Sequence, residues 1–455
     1  MYAIGILLVF LVGYLTVFNL STLTSRLERI GLAFPVGMGA VTAVMALMDI
    51  CGIPLAAPQL LAADAVLALA LAAMLIPKRK KVAEALCRPV AFGNFNFVWL
   101  LLLAVVVWIE YANFQKCMFF PTYDRDSLAA FDTMGFVAAQ EHTYGAMSIF
   151  AGDYMPGIHA PGSPIAYYPL VQLAYTYVYA LGAETSKIVP ALTYLSFLVA
   201  FYGALSRLTS RTAAMAATLF TLMAPDMLAF SSLSGTNVVN AVYASLGLIY
   251  VLWWKESGET QRLALGALLL AINVWSRAEG LAFVLAAGAL VLYACLRTRK
   301  WKPLAIIASC AVPVVLWQVY TRVFGMTLES AVITHPYFDG EKLSTVAGGA
   351  WALLTNTAYY GWTFPVLLLA VLADAWFMVR RRNGDAAKLF AIVCAMALYF
   401  AVLYQIDYKW DSISNVLSYS AKRFMFCFVP LAWYFVATSG PVKGLMTKFD
   451  AWMSK

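Results

Sequence analysis

Long apolar runs separated by short polar gaps dominate the chain. A helix needs about 17–25 apolar residues to cross a bilayer, and runs of that length predict spans near 2–19, 30–50, 57–77, 95–113, 188–206, 212–230, 239–254, 262–276, 280–296, 303–323, 352–377, 389–405 and 424–439. Only helices satisfy their own backbone within lipid at such lengths. The fold class expected is therefore an all-α polytopic membrane protein of about 13 transmembrane helices, with a long external loop carrying surface helices. Three leading spans with a basic loop form a first unit, 1–88. Residues 89–440 form the main transmembrane core, and 441–455 a cytoplasmic tail.

The basic residues fall into the gaps by alternation. Arg26 and Arg29; Lys78 to Lys81 with Arg88; Arg207 and Arg211; Lys255 and Arg262; Arg297, Arg299, Lys300 and Lys302; Arg380 to Arg382 with Lys388; and Lys443, Lys448 and Lys455 all lie on one side of the thirteen-span arrangement. By the positive-inside rule that side is the cytoplasm, which places the N-terminus and the 114–187 segment outside. Composition agrees: 63% of residues are hydrophobic and 12% charged, with a mean hydropathy of +0.78, where soluble proteins carry about a quarter charged residues. The net charge of +8 then reflects topology, and no nucleic-acid partner is expected. Met1-Tyr2 offers no basic n-region and no A-x-A-like site follows, so the first segment is expected to be retained. The seven cysteines show no C-x-x-C spacing, which excludes zinc and redox motifs of that kind.

The external segment differs in character. From Gln115 to Lys187 it is rich in Tyr, Pro, Gly and Asp, and loops of that length are usually functional. Asp126 to Glu141 reads as a short amphipathic helix. Pro164 to Leu181 is apolar enough to cross, but a crossing there would invert every later loop. It is read instead as a helix at the outer membrane surface, where its tyrosines suit the interface.

Ionisable residues in the spans, namely Asp49, Asp64, Glu110 and Asp226, lie near outer ends and not at the midplane. Ion-coupled transport favours midplane charges and inverted repeats, and neither is present. The chemistry gathers outside. The run PTYDRDSLAAFD (121–132) sets Asp124, Asp126 and Asp132 just past the end of a span. One carboxylate can serve as a general base, and the D-x-D pair Asp124/Asp126 can hold a divalent cation such as Mg or Mn through oxygen ligands. The same three can instead be an acidic loop capping the following helix. The outer face also receives His159, Arg277, Glu279, Arg322, His335, Lys342, Asp407, Lys409, Asp411, Lys422 and Arg423, cations suited to a lipid phosphate.

An Asp-bearing external loop after a span, followed by PGSPIAYYPL (161–170), resembles the GT-C superfamily of lipid-phosphosugar-dependent glycosyltransferases, which includes oligosaccharyltransferases, protein O-mannosyltransferases and lipid A aminoarabinose transferases. Further parts follow in the same order across roughly residues 95–440: SRLTSR (206–211), Ala224-Pro225-Asp226, SSLSGT (231–236), Arg277-Ala278-Glu279-Gly280, and Lys422-Arg423 leading to Pro430. The second external turn reads Thr236-Asn237 to Asn240, where many members carry an acidic residue.

The resemblance implies an inverting transferase on the external face of a bacterial inner or cytoplasmic membrane. Its partners would be a polyprenyl-phosphate-linked sugar donor, membrane lipids, and a glycan or lipid acceptor. Asp126, or Asp124, would be the base; Arg277, Arg423 and Lys422 would bind the donor phosphate; Asp132, Tyr123, His159, Tyr167, Tyr168 and Glu279 would line the acceptor cleft or lipid groove. Two alternatives stay open. One is a glycan polymerase or ligase that moves a lipid-diphosphate-linked oligosaccharide and relies on external Arg and His. The other is a non-enzymatic transporter, flippase or scaffold.

Overall fold

A computed structural model describes residues 1–87, 96–150, 167–326, 336–381, 385–406 and 412–453. Those residues form helices joined by short turns, with no strand among them. Ten helices are long and apolar enough to cross a membrane, and two bent pairs bring the number to as many as twelve. In chain order the elements used below are α1 (Tyr2–Leu20), α2 (Arg26–Ile50), α3 (Ala57–Ala73), α4 (Phe97–Phe119), α5 (Asp132–Glu141), α6 (Leu170–Ala180), α7 (Ile188–Leu205), α8 (Arg211–Leu222), α9 (Pro225–Ser231), α10 (Asn237–Ser257), α11 (Thr260–Ser276), α12 (Leu281–Thr298), α13 (Lys302–Val323), α14 (Gly340–Thr355), α15 (Thr363–Arg381), α16 (Asp385–Gln405), α17 (Ile413–Thr438) and α18 (Gly440–Met453).

The sequence explains where these helices start and bend. Ser25 and Glu28 cap α2 reciprocally: the Ser25 hydroxyl accepts from the Glu28 N–H at 3.1 Å, and the Glu28 carboxylate accepts from the Ser25 N–H at 2.7 Å. Glu28 is fully buried, and it also receives Arg207 and the Tyr250 hydroxyl, each at 2.8 Å. That cluster binds α2 to α10 and to the turn after α7. A methyl group at Gly13 would run into the Ala33 carbonyl and one at Gly37 into the Val9 carbonyl, so α1 and α2 approach through their glycines. Between α8 and α9 the chain bends by 73°. Pro225 holds Ala224 in extended geometry there and cannot continue the preceding helix.

Two expectations need correction. The span expected over 352–377 is interrupted. Asn356 ends α14 and caps a short turn at Thr357–Tyr360 by accepting the Ala358 N–H at 2.9 Å, and Gly361 takes φ +59° before α15 begins. The expected surface helix over Pro164–Leu181 is described from residue 167 as the 11-residue α6, about 16 Å long and too short to cross. Its central tyrosines turn into the bundle. Tyr175 and Tyr177 are fully buried, and the Tyr177 hydroxyl donates to Asp64 at 2.5 Å and to the Gly5 carbonyl at 3.1 Å. The α6 helix thus sits as a plug held by α1 and α3. The amphipathic segment after Asp126 forms as expected: a π-turn over Ser127–Phe131 leads into α5, which buries Met134, Gly135, Ala138 and Ala139.

Candidate functional site

At the end of α11 the backbone opens at Arg277 (φ −160°, ψ 142°) into one tight turn, Ala278–Gly280. A side chain at Gly280 would press on Asn273, so the turn needs a glycine for close approach. This turn aims Arg277 back across the helix ends. Its guanidinium grips Glu279 with two bonds, at 2.6 and 3.1 Å. The remaining nitrogen donates to Thr236 Oγ1 at 2.8 Å and Asn237 Oδ1 at 3.1 Å. Burial works against the Arg277 charge, yet Glu279 outweighs it and leaves the pKa above the usual arginine value. The Tyr167 ring lies 5.3 Å from the guanidinium carbon. Glu279, expected to line an acceptor cleft, is thus the clamp that orients Arg277. The Thr236-Asn237 turn, where an acid was missing, supplies neutral oxygens to the same arginine.

A second pair of cations stands on α17, directly after a π-turn over Leu417–Ala421. Such turns often re-aim side chains at functional positions. Lys422 forms an ion pair with Asp226 of α9 at 2.9 Å, and its ammonium lies 4.5 Å from the Tyr359 ring centroid. Arg423 forms an ion pair with Asp126, and its Nε donates to the Tyr419 carbonyl at 3.2 Å. Adjacent residues are therefore neutralised by acids from two different segments, one before the α5 turn and one on α9. The Asp126 side chain keeps 45% of its surface exposed, which leaves it open to an incoming group.

A polar relay ties the Arg277 turn to α17. The Asn240 amide donates to Cys427 Sγ at 3.4 Å, and its carbonyl oxygen accepts from Asn273 at 2.5 Å and from Ser276 at 3.3 Å. Phe283 and Phe424 fill the layer beside it, with ring centroids 5.8 Å apart.

The other expected residues take different places. The Asp124 carboxylate accepts the Ser127 N–H and hydroxyl, both at 3.1 Å, as a local turn cap. Asp132 accepts the Tyr179 hydroxyl at 2.7 Å and Thr122 at 3.4 Å, which anchors α5 to α6. Burial and that carboxylate push the Tyr179 hydroxyl up to about 12. Tyr123 is exposed, while Tyr168 is buried against Trp317, with centroids 5.4 Å apart. Lys342 donates to Tyr337 and to the Ile406 carbonyl. His159, His335, Asp407, Lys409 and Asp411 lie outside the described residues. Asp124 and Asp126 already carry protein donors, and no group of three His, Cys, Asp or Glu among the described residues is arranged to hold a metal ion.

Sequence reasoning placed Asp49 near a span end but did not read its partners. Its buried carboxylate accepts the Thr143 hydroxyl at 2.7 Å, the backbone N–H groups of Tyr144 and Gly145 at 3.0 and 2.8 Å, and the Tyr320 hydroxyl. It fastens the turn after α5 to the end of α2. An acid at the outer end of an apolar run was the available signal, but the partners lie 94 or more positions away. Comparison with protein-family models, curated proteins and solved structures finds no match to this chain.

Proposed function

We propose that the protein is an inverting membrane glycosyltransferase that moves a sugar from a polyprenyl phosphate to a hydroxyl of a glycan or lipid acceptor. The observation that carries this reading is the Asp126–Arg423 pair, which joins a carboxylate and a cation 297 positions apart at one end of the bundle. Lys422 and Asp226 stand beside it, and the Arg277 turn is linked through Asn240. Thirteen spans follow when the 17-residue α11 and the two bent pairs join the ten long helices. The basic turns then face the cytoplasm and the site faces the exterior, in a bacterial inner or cytoplasmic membrane.

The acceptor hydroxyl gives its proton to the free oxygen of Asp126 while its own oxygen attacks the anomeric carbon from the far side. The bond from that carbon to the phosphate oxygen breaks, and the electron pair leaves with the polyprenyl phosphate. Arg423 and Lys422, backed by Arg277, neutralise that charge as it forms. Before the donor binds, these cations are satisfied by the protein's own acids. The donor phosphate therefore competes with Asp126 for Arg423, and winning that competition releases the carboxylate for proton transfer. Asp124 serves as a turn cap in this scheme.

The test is transfer of labelled sugar from polyprenyl phosphates in proteoliposomes, comparing the native chain with Asp126→Asn, Asp124→Asn and Arg423→Gln. Transfer is expected to be lost in the first and third and kept in the second. A polymerase or ligase would show no transfer from these donors and, given a lipid-diphosphate-linked oligosaccharide, would keep transfer in Asp126→Asn and lose it in Arg423→Gln.

A further inference from the structure

A groove of about 410 Å³ runs between α4 and α9, walled by Trp108, Ile109, Ala112 and Asn113 on one side and Pro225, Leu228 and Ala229 on the other. Trp108, Ala112 and Ala229 are exposed, so the groove opens sideways and is not sealed inside the bundle. From Trp108 to Lys116 the helix rises about 12 Å, close to the depth of one leaflet of a core of about 30 Å.

The groove ends at Lys116, which lines it and makes no hydrogen bond or ion pair with any described residue. Behind it stands Lys187, buried, with its ammonium turned to the Phe120 carbonyl and with no carboxylate partner among the described residues. Burial is the main cause lowering the Lys187 pKa; neighbouring Cys117 and Asp132 oppose that shift, and the charge of Lys116 adds to it. This contrasts with Arg277, Lys422 and Arg423, each of which has an acid of its own. It contrasts also with a groove of about 540 Å³ between α1, α2, α11 and α13, which no charged residue lines. A mostly apolar channel about one leaflet deep, ending in Lys116, which has no ion pair among the described residues, has the charge pattern of an anionic amphiphile in reverse.

We infer that the groove between α4 and α9 holds one chain of an anionic membrane phospholipid, with the lipid phosphate at Lys116 and Lys187 behind it. The occupant is a resident lipid and not the sugar donor, because the paired cations of the candidate site lie on α17. Its phosphate neutralises Lys116, and its chain covers the Ala112 and Ala229 walls.

The test uses the full chain in mixed micelles, with phosphatidylglycerol and phosphatidylcholine as probes and the bound ratio read by native mass spectrometry. A basic residue near a membrane surface contributes about 1 kcal/mol toward an anionic lipid, so Lys116→Gln is expected to lower the phosphatidylglycerol preference about five-fold. Ala229→Phe fills the groove from an exposed wall, where it leaves the packed interior alone, and is expected to remove the bound lipid. An unchanged ratio in Lys116→Gln, or undiminished lipid retention in Ala229→Phe, overturns the inference. A loss of transfer with the lipid ratio intact bears on the proposed function alone.

Discussion

Replacing Asp126 by Asn should move donor binding and turnover in opposite directions. The carboxylate and the guanidinium of Arg423 are ion-paired while partly exposed, at 45% and 19% of their side-chain surfaces. Solvent-exposed pairs contribute about 0.2–1 kcal/mol, and hydrogen bonds to charged groups about 1.5–3 kcal/mol. Partial exposure places this pair near 1 kcal/mol. A phosphate entering the site must give up that amount to detach Arg423, and Asn removes most of the cost. Affinity for a short-chain polyprenyl phosphate, measured calorimetrically in micelles, should therefore rise about five-fold in Asp126→Asn, since 1.4 kcal/mol corresponds to about tenfold. Sugar transfer should fall at least about a hundredfold, because the proton acceptor is gone. Arg423→Gln should weaken phosphate binding, and adding Asp126→Asn to it should give no further gain, since the competition acts only through that arginine. Unchanged or weaker phosphate binding in Asp126→Asn, or a gain that persists without Arg423, would refute the competition.

Further outcomes follow from the remaining contacts. Asp124→Ala removes the cap on Ser127 and should cost about 1 kcal/mol of stability in thermal unfolding, while Asp124→Asn keeps an acceptor and should retain transfer within a few-fold. Asp49→Ala leaves two buried backbone N–H groups without an acceptor, at about 1–3 kcal/mol each; a lower Tm and faster proteolysis near Tyr144 are expected, and native-like protection would contradict the anchoring role. Arg277→Lys keeps the charge but loses the two-pronged grip on Glu279 and the bonds to Thr236 and Asn237. Transfer should drop about tenfold or more, equivalent to about 1.4 kcal/mol of lost charge-assisted bonding, with Tm little changed.

The membrane class was legible because apolar run length is a direct readout of bilayer thickness, and α1, α2, α4 and α7 begin or end within a few residues of the expected spans. Interruptions were harder to read. The break before α15 depends on Asn356 and Gly361 acting together inside an apolar stretch, and hydropathy averages over both. The segment containing α6 looked like a surface helix because its composition suits an interface. Only the distant acids Asp64 and Asp132 show that its tyrosines are drawn inward. Within the site, Asp126, Arg277, Lys422 and Arg423 were recognisable as residue types facing one side. Their pairing was not, because Asp126 meets Arg423 across most of the chain and Lys422 selects Asp226 on a helix that exists only because Pro225 bends the chain. Asp124 and Asp126, two residues apart and alike in sequence, part company for a local reason: one turns back to Ser127 and the other reaches across to α17.

The central claim is that Asp126 is the base for transfer from a polyprenyl phosphate. The most direct measurement is the rate of labelled-sugar transfer from a panel of polyprenyl-phosphate donors by the purified chain in proteoliposomes, with Asp126→Asn and Asp124→Asn alongside and folding matched by Tm. The account predicts transfer from at least one donor, its loss by at least about a hundredfold in Asp126→Asn, and its retention in Asp124→Asn. Full transfer in folded Asp126→Asn, or none from any monophosphate donor by the native chain, would contradict it.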